Sequence, residues 1–590
     1  MFTRLRPLPS SNYKLTCYKE AQTALRTIKN RKKSNGNNPQ NENKMTKTMK
    51  YLSMAAFVLS GAMIMGCTRE NQPENLSENQ PEPPSENVVT LSTTIGLEGS
   101  SATRALTEHG VKTFAEGEKI AVVYETITGY SKVDVSLAAD DISNSGNSAT
   151  IKVTLSNPKT NGFVKYIYPA DMAKDNGDGN FDKLYNEQDG TLSKIASTFD
   201  YARFDGNFDD TELPHGTLRN QLALCKFTIK DGESNDITSS LTKLTIKNGT
   251  DVYHINTSSQ SKIWVALKPI SSGDIDIYAA KGKELYRKTV TRNTTLAVNT
   301  LTPITVTAPI VPGALSGLFS VNASHDLVYF SQGNLQAMYF TDTSIPAGLS
   351  WDHFNFATNQ YDFIGATSGN TGLDAPFLLA RIDLFGWSTH DGENYLGINS
   401  STAKEYYDAD FYDWGIANIQ NGGGRNKWRT PGYGELNYLN FTRSASSVKG
   451  ASNARFAKVM IQNPLVYGFI LFPDNYVHPS LLSDLFTEED INNCHNNAVL
   501  LLASDWDKME AAGAVFLPAG GYRDGTTVTL KLYVTEYGDY WTSTKTTNQG
   551  SYNDSYAIML NFGRDKDSDF FDFYNFPRYN GCSVRLIGPR

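Results

Sequence analysis

Residues 149–158 read ATIKVTLSNP, and this stretch decides the fold class of the first half of the chain. Its apolar side chains, Ile151, Val153 and Leu155, alternate with polar ones, as expected of a strand with one buried face. The Asn-Pro pair that follows is a turn signal. Similar short runs, broken by Gly, Asn, Asp and Pro, recur along residues 88–309. The pattern predicts a mainly β domain over 88–309, built as an antiparallel sandwich.

The composition changes after the Pro- and Gly-containing segment 310–316, which we interpret as a linker. Trp, Tyr, Asn and Gly become more frequent, and helix signals appear among the strands. Thr430-Pro431 fits the start of one helix, and Ser504 with Asp507 fits a capping box ahead of a second helix that Gly513 ends. A chain of 590 residues also exceeds the usual size of one domain. We therefore expect a separate α+β domain over 317–590.

The N-terminal segment has the pattern of a targeting signal. Lys47 and Lys50 precede an apolar run from Tyr51 to Met65, which is too short to span a bilayer. The residues IMGC that end it resemble a bacterial lipobox, which implies a signal peptide over 45–66 and a lipid on Cys67. Residues 1–44 fit no part of a signal. We expect that the start codon has been assigned too far upstream and that the true one follows these residues. For the apolar run from Tyr51 to Met65, the alternative to a signal peptide is a buried core helix.

Residues 67–87 are polar, acidic and rich in Pro, and they predict a disordered tether. Arg69-Glu70 partly matches the export signal of Bacteroidetes surface lipoproteins, which implies anchoring at the outer membrane and exposure on the cell surface. The 66 residues before Cys67 hold 12 Lys/Arg and 2 Asp/Glu, so 54 basic and 62 acidic residues become 42 and 60, a net charge of about −18. Such a charge disfavours nucleic acid as a partner.

The order of motifs in the first domain resembles the fimbrillin-like family of Bacteroidales, which builds type V pili. The matching motifs are TRAL, FAEGEKIAVVYE, VKYIYPA, NQLALCKFTI and IWVALKPI. The resemblance implies a transthyretin-like, Greek-key-like sandwich and a place in a fimbrium. It also implies that a trypsin-like protease cuts between Arg104 and Ala105 and removes the first strand, so that another fimbrillin subunit donates a strand in its place. The alternative is that Arg104 is an ordinary exposed arginine in a turn.

The second domain resembles the C-type-lectin-like domain of Bacteroidales surface proteins and of the variable proteins of diversity-generating retroelements. This fold is related to the formylglycine-generating enzyme. The resemblance rests on nine ordered segments, among them YDFIGATSGN, IDLFGWSTH, WRTPGYGELNYLNFTR, GFILFPDNY and GCSVRLIGP. It implies a domain that binds a glycan or a protein ligand. The cysteines of this domain do not match the enzyme's site, so the kinship carries the fold and no activity.

The chain lacks the motifs of familiar catalytic sites. We find no HExxH, GxSxG, GxGxxG or phosphate-binding loop, and the eight His residues are scattered. We therefore predict a protein that is not an enzyme and has no cofactor. An enzyme on the lectin-like fold remains the least favoured alternative.

Two acidic segments raise the possibility of calcium. Residues 176–187 place oxygen ligands at EF-hand spacing, but Phe181 stands where that loop requires Gly, so a solvated turn is favoured. The acidic cluster Asp565, Asp567 and Asp569 fits either a calcium loop or an exposed charged loop.

Three cysteines follow Cys67. Cys225 alternates with apolar residues and is expected in the core. Cys494 and Cys582 could form a disulfide, but three cysteines make no disulfide framework and no metal site.

The aromatic stretch 552–580 is the candidate binding surface. Residues 556–562 alternate and predict a strand, whereas DSDFFDFYNFPRYN predicts an exposed irregular loop, closed by a strand at CSVRLI. Rigid aromatics beside Asn and Asp suit recognition, while packing in the core is the alternative. We place the ligand on one face formed by Tyr552, Asn553, Tyr556, Asp569, Phe570, Phe573, Tyr574, Asn575 and Tyr579, with Trp541 beneath or beside it.

Together, these expectations predict an adhesin. It would be a lipid-anchored fimbrillin-like protein that carries a lectin-like domain at a pilus tip. A stalk subunit needs a free C-terminal donor strand, whereas this sequence ends at Arg590, shortly after CSVRLI. The alternative is a surface lipoprotein that binds its ligand without joining a pilus.

Overall fold

The structure is a computed structural model in which Glu86–Arg590 form one compact unit. It describes residues 87–98, 113–209, 211–298, 301–340, 350–364, 381–387, 397, 410–462, 465–493, 497–524, 527–529, 537–546, 556–563 and 571–589.

The elements of the first half, residues 88–307, are mainly strands. In chain order they are β1 (Val88–Leu97), β2 (Lys119–Thr126), β3 (Gly129–Ser136), β4 (Ile142–Ser143), β5 (Ser148–Ser156), β6 (Phe163–Tyr168), α1 (Asp182–Asn186), α2 (Leu192–Lys194), β7 (Ala202–Asn207), β8 (Gly216–Asn220), β9 (Ala223–Lys230), β10 (Lys243–Asn248), β11 (Asp251–Asn256), β12 (Ile263–Leu267), β13 (Gly273–Lys281), β14 (Glu284–Arg292) and β15 (Leu301–Thr307). Single helical turns lie at Ala139–Asp141, Asn144–Gly146, Ala170–Met172, Ile195–Phe199 and Thr238–Ser240.

These strands form three sheets, with orders β3-β2-β6-β7-β8-β1-β5-β4, β11-β10-β13-β14 and β12-β9-β15. Their described pairs are antiparallel apart from β1 with β8 and β9 with β15. The stretch 149–158 lies mostly in β5, whose Ile151, Val153 and Leu155 are buried. β2 is buried on both faces because alternate side chains enter two different cores. The predicted mainly β, antiparallel architecture is confirmed.

The second half, residues 319–588, mixes strands with short helices. Its elements are β16 (Phe319–Ser320), β17 (Leu327–Phe330), β18 (Leu335–Phe340), β19 (Ser350–Phe356), β20 (Arg381–Ile382), α3 (Tyr433–Asn437), β21 (Phe456–Gln462), β22 (Val466–Leu471), β23 (Val499–Leu502), α4 (Ala503–Ala511), β24 (Val515–Pro518), β25 (Tyr522–Asp524), β26 (Thr527–Thr529), β27 (Tyr537–Lys545), β28 (Tyr556–Gly563), β29 (Phe571–Pro577) and β30 (Ile587–Gly588). Single helical turns lie at Trp414–Ile416, Gln420–Gly422, Tyr438–Thr442, Ser480–Leu482 and Glu488–Asp490.

Five small sheets surround three cores in this half. Their orders are β16-β17-β30, β19-β18-β20, β23-β21-β22-β24, β25-β26 and β27-β28-β29. The sheet β27-β28-β29 separates two of the cores, since Trp541, Ala557 and Met559 enter one while Tyr540 and Leu560 enter the other. The expected strand at residues 582–587 is wrong in extent. Cys582 and Ser583 make isolated bridges, and only Ile587–Gly588 form a strand.

The helices begin at other residues than the sequence signals suggested. α3 starts after Gly432, whose backbone N–H donates to the Glu435 carboxylate at 2.9 Å, while the Thr430 hydroxyl donates to Asp413. α4 starts after Leu502, so Ser504 lies inside its first turn. Gly513 does follow the helix, with a φ of 95° that suits glycine. Among the described residues, no helix has the length and hydropathy that a membrane span requires.

The two halves share a buried core, which we call the junction. Val252, Tyr278 and Leu285 of the first half pack in one cluster with residues of the second half that include Tyr329 and Trp428. The Lys243 ammonium of β10 donates to the Asn475 carbonyl at 2.6 Å.

The segment expected as a linker packs against both halves. The Val311 N–H donates to the Leu285 carbonyl at 2.8 Å, and the Leu315 N–H donates to the Phe330 carbonyl at 3.0 Å. Leu315 is also buried. The junction is therefore continuous with the cores on either side.

Candidate functional site

The expected irregular loop at the aromatic stretch is in part a strand. β29 spans Phe571–Pro577 and pairs antiparallel with β28, with Phe573 opposite Leu560 and Tyr574 opposite Met559. The prediction of a strand over 556–562 is confirmed, and the prediction of a loop over 571–577 is wrong. Among the described strands β29 pairs with β28 alone, so it lies at the edge of its sheet.

The alternation along β29 explains why Asp stands beside Phe. Phe571 is buried and Asp572 is exposed, because neighbouring side chains of a strand point to opposite faces. The Phe571 ring stacks on Phe469 with centroids 4.7 Å apart and contacts Phe456 at 4.4 Å. Pro577 stands at the end of the strand, where a missing N–H is tolerated. Phe571 therefore fixes the strand to the core.

Pairing as a strand divides the predicted ligand face in two. Tyr556, Phe573 and Asn575 lie on one face of the sheet, while Trp541 and Tyr574 lie on the other. The expectation that Tyr556, Phe573, Tyr574 and Asn575 share one face is wrong, because Tyr574 points to the opposite face. A ligand contacts both sets only by reaching around the edge of β29.

The face with Phe573 carries a cluster of three rings, the exposed Tyr433 and Phe441 and the partly buried Phe573, which we call the aromatic patch. The Phe573 ring lies 4.9 Å from Tyr433 and 6.2 Å from Phe441, measured between centroids. Tyr433 is 37% exposed and Phe441 is 40% exposed. Both come from α3 and the helical turn after it, and sequence reasoning missed them because they lie more than 130 residues before Phe573 in the chain.

The opposite face of β29 is mixed. Tyr574 is 41% exposed and Asp572 is exposed. Phe576 lies between Tyr522, at 5.3 Å, and Trp541, at 6.1 Å. Trp541 itself is buried, and its indole N–H donates to the Phe385 carbonyl at 2.6 Å. Trp541 thus lies beneath the surface and supports β29 from the core.

The residues after β29 fix its end. Arg578 is buried, its Nε donates to the Tyr556 carbonyl at 3.1 Å, and its guanidinium lies 4.4 Å from the centre of the Trp387 ring. Tyr579 is partly buried, and burial, followed by the nearby Asp524 and Tyr556, raises the pKa of its hydroxyl. Arg578 therefore ties the end of β29 to β28 and to Trp387.

Several predicted site residues lie outside the described residues. They are Cys67, Arg104, Ala105, Tyr552, Asn553, Asp569 and Phe570, together with Asp565, Asp567 and Cys494. Cys582 is buried with a free thiol, and Cys225 is a buried core residue as expected.

The EF-hand-like segment 176–187 begins with a turn and continues into the short helix α1. The Asn176 amide donates to the Asp178 carboxylate at 2.7 Å, and Asn176 Oδ1 accepts from the Asp178 N–H at 3.0 Å. Within the described ranges no group of three or more His, Cys, Asp or Glu is arranged to hold a metal ion.

The strand that precedes Arg104 is well embedded. β1 pairs antiparallel with β5 from Val88 to Gly96 and parallel with β8 at its C-terminal end. Ile95 is fully buried, and Leu97 and Thr93 are nearly so. β1 therefore fills a place between two strands that its removal would leave open.

Comparisons with known proteins found weak similarities. The chain matches no family model and no curated protein. Among solved structures, a fimbrial assembly protein from Parabacteroides distasonis is 13% identical, with 41% of this chain and 94% of that chain covered and a TM-score of 0.22. A fimbrial protein from Bacteroides ovatus is 10% identical, with 85% and 99% covered and a TM-score of 0.21. A minor pilin from Streptococcus agalactiae is 14% identical, with 38% and 97% covered and a TM-score of 0.18. At these scores the similarity carries no conclusion about this chain.

Proposed function

We propose that the protein is an outer-surface adhesin, a lipoprotein of fimbrillin type whose lectin-like second half binds a glycan or protein ligand at the edge of β29. The observation that carries the proposal is the exposure of large aromatic side chains there. Tyr433, Phe441 and Tyr574 are 37%, 40% and 41% exposed. Tyr574 belongs to the edge strand β29, and Tyr433 and Phe441 contact Phe573 of the same strand.

The physical argument is that exposed rings on a fixed frame bind at low entropic cost. An aromatic pair or a ring stacked on a ligand contributes about 0.5–1.5 kcal/mol beyond burial of its area. Phe571 and Arg578 hold β29 in place, so little ordering remains when a ligand binds. Asp572 and Asn575, both exposed, supply hydrogen-bonding groups beside the rings.

A binding screen followed by substitution tests this proposal. The full chain is applied to a glycan and protein array, and binding to any hit is compared for Tyr433→Ala, Phe573→Ala and Tyr574→Ala. We expect at least ten-fold weaker binding, about 1.4 kcal/mol, for one or more of these variants, since few residues dominate an interface. Phe163→Ala, which removes a ring that is 55% exposed in the first half, is the matched control. The proposal fails if all four variants bind like the unaltered chain.

Incorporation into a pilus is the second component of the proposal. Cleavage between Arg104 and Ala105 would release β1, and the vacant place beside β5 and β8 would accept a strand from another fimbrillin subunit. N-terminal sequencing of the surface-exposed protein tests this step. A new N-terminus at Ala105 is expected, whereas an intact Arg104-Ala105 bond favours a surface lipoprotein that joins no pilus.

Anchoring to the outer membrane is the third component. Cys67→Ala is expected to abolish lipid labelling and to release the protein from the membrane fraction. Continued labelling of that variant would exclude the lipobox interpretation.

A further inference from the structure

A cleft of about 920 Å³ opens at the junction of the two halves. The first half contributes residues around α1 and the start of β11, and the second half contributes Ser320, His325, Tyr438 and the segments 443–447 and 474–476. Its volume lies within the range of about 300–1,000 Å³ that is usual for small-molecule sites. Because each half supplies only part of the wall, the cleft exists only when the junction is formed.

The floor of the cleft holds a satisfied ion pair. Arg443 is buried, and its Nη1 donates to Asp474 at 2.5 Å, its Nε to the Leu439 carbonyl at 2.8 Å and its Nη2 to the Phe472 carbonyl. Asp474 also accepts from the N–H and the hydroxyl of Ser320. Among the described lining residues Arg443 is the only Lys or Arg. The floor therefore offers no unpaired cation to an anionic ligand.

His254 adds a buried polar group to the cleft. It is 6% exposed, and its Nδ1 lies 3.2 Å from the Thr245 hydroxyl. Burial, and then the charge of Lys243, lowers the pKa of the imidazole to about 4, so the ring is neutral at pH 7. A neutral imidazole has one donor and one acceptor nitrogen. A ligand hydroxyl complements the remaining nitrogen, Nε2, in either tautomer, because a hydroxyl both donates and accepts.

The walls combine rings with small polar groups. Tyr185, Tyr438 and Tyr476 line the cleft together with serines of the segment 444–447. Of the lining residues that the structure describes, only Val252 and Ala445 have aliphatic side chains, so these residues form no pocket for an apolar peptide anchor. The exposed carboxylates Asp182 and Glu187 at the rim repel anions.

We propose that this cleft is a second ligand site, specific for a neutral oligosaccharide. Sugar faces stack on the partly exposed rings of Tyr185 and Tyr438, and sugar hydroxyls pair with His254, the serines and the amides of the wall. The cleft shares no lining residue with the aromatic patch or with Tyr574, and the proposal does not depend on whether they bind a ligand.

Substitutions at opposite walls test the site in the full chain. The probe is an array of neutral oligosaccharides, with sialylated and sulfated oligosaccharides for comparison. Ser447→Trp fills the cleft from an exposed position, and His254→Phe removes the ring nitrogens while keeping a ring of similar size. Ser271→Trp, at an exposed serine of the first half that does not line the cleft, is the matched control.

We expect binding to a neutral oligosaccharide that falls at least ten-fold in Ser447→Trp and in His254→Phe and is unchanged in Ser271→Trp and Tyr574→Ala. If His254→Phe does not fold, as judged by its melting temperature, Ser447→Trp decides alone. The proposal is overturned by an array without neutral hits, by binding to acidic glycans only, or by Ser447→Trp binding as well as the unaltered chain. Loss of binding in Tyr574→Ala alone would assign the sugar to β29 and would overturn it as well.

Discussion

Phe571 and Phe573 are two residues apart on the same face of β29, and the difference in their burial separates stability from binding. Phe571 is 6% exposed and lies against Phe469 and Phe456. Phe573 is partly buried and contacts Tyr433 and Phe441, which are themselves exposed. Only the first ring is enclosed by the core.

Phe571→Ala is expected to lower the free energy of unfolding by about 3–5 kcal/mol, the usual cost of deleting a buried Phe. Phe573→Ala is expected to cost much less stability and to weaken ligand binding at least ten-fold. Thermal denaturation and binding measured on both variants check this. If Phe573→Ala unfolds the protein while its folded fraction binds normally, the aromatic patch is core and the ligand lies elsewhere.

Asp539 gives a prediction about pH. It is buried in β27, accepts from the Asn561 amide at 2.6 Å, and burial raises its pKa to about 6. The folded state therefore favours the protonated acid. The contribution of Asp539 to the free energy of unfolding is complete at low pH and is lost as the pH rises through about 6. At pH 7.5 the free energy of unfolding of Asp539→Asn should exceed that of the unaltered chain, by about 3 kcal/mol at most.

That advantage of Asn over Asp should shrink as the pH falls toward 4. Denaturant unfolding at pH 4.5, 6 and 7.5 measures it. A difference between the two proteins that does not vary with pH would mean that Asp539 ionises normally.

At the scale of elements, β29 marks the limit of what the sequence could predict. β5 and β28 follow a simple apolar alternation and were predicted. β29 has aromatic side chains on both faces because its sheet lies between two cores, so period two is hidden in the string FFDFYNFP. The contact of Tyr433 and Phe441 with Phe573 depends on tertiary packing, which no local pattern reports.

The ends of α3 and α4 show the same limit. Residues with good capping chemistry, Thr430 and Ser504, are not at the caps because their backbone positions are set by neighbouring strands and by Asp413. Gly513 was correctly predicted to end α4. It follows the helix with a positive φ, a conformation that glycine adopts readily.

β1 is the element whose removal has the clearest expected effect. Deleting residues 88–97 takes Ile95 and Leu97 from the core and leaves β5 and β8 without a shared neighbour. The melting temperature should fall, because the loss of Ile95 alone costs on the order of 2 kcal/mol or more. A synthetic peptide of Val88–Leu97, added in trans, should restore it.

The same peptide carrying Ile95→Asp is the control and should not restore stability, because it places a carboxylate in the core. Equal melting temperatures for the deleted and the unaltered chain would show that β1 is dispensable and would remove the basis for strand exchange at this position.

At the scale of the whole molecule, the junction joins two halves that the composition suggested were separate. Leu285 is 1% exposed in a core shared with the second half, and Leu296 is equally buried in a core of the first half alone. The two leucines therefore form a matched pair for testing how the halves are coupled.

We expect the unaltered chain to unfold in one calorimetric transition. Leu285→Ala should lower the ratio of van't Hoff to calorimetric enthalpy, since it weakens the contact between halves, whereas Leu296→Ala should lower the melting temperature in one transition. Two resolved transitions in the unaltered chain would mean that the shared core contributes little.

The packed junction also limits how the proposed binding surface can be oriented. Because the two halves share a buried core, the aromatic patch keeps a fixed orientation relative to the first half. Little rotational freedom is therefore lost when a ligand binds. Two copies held side by side would present their aromatic patches at a fixed spacing. Avidity for a repetitive ligand would therefore depend on whether the repeat distance of the ligand matches that spacing.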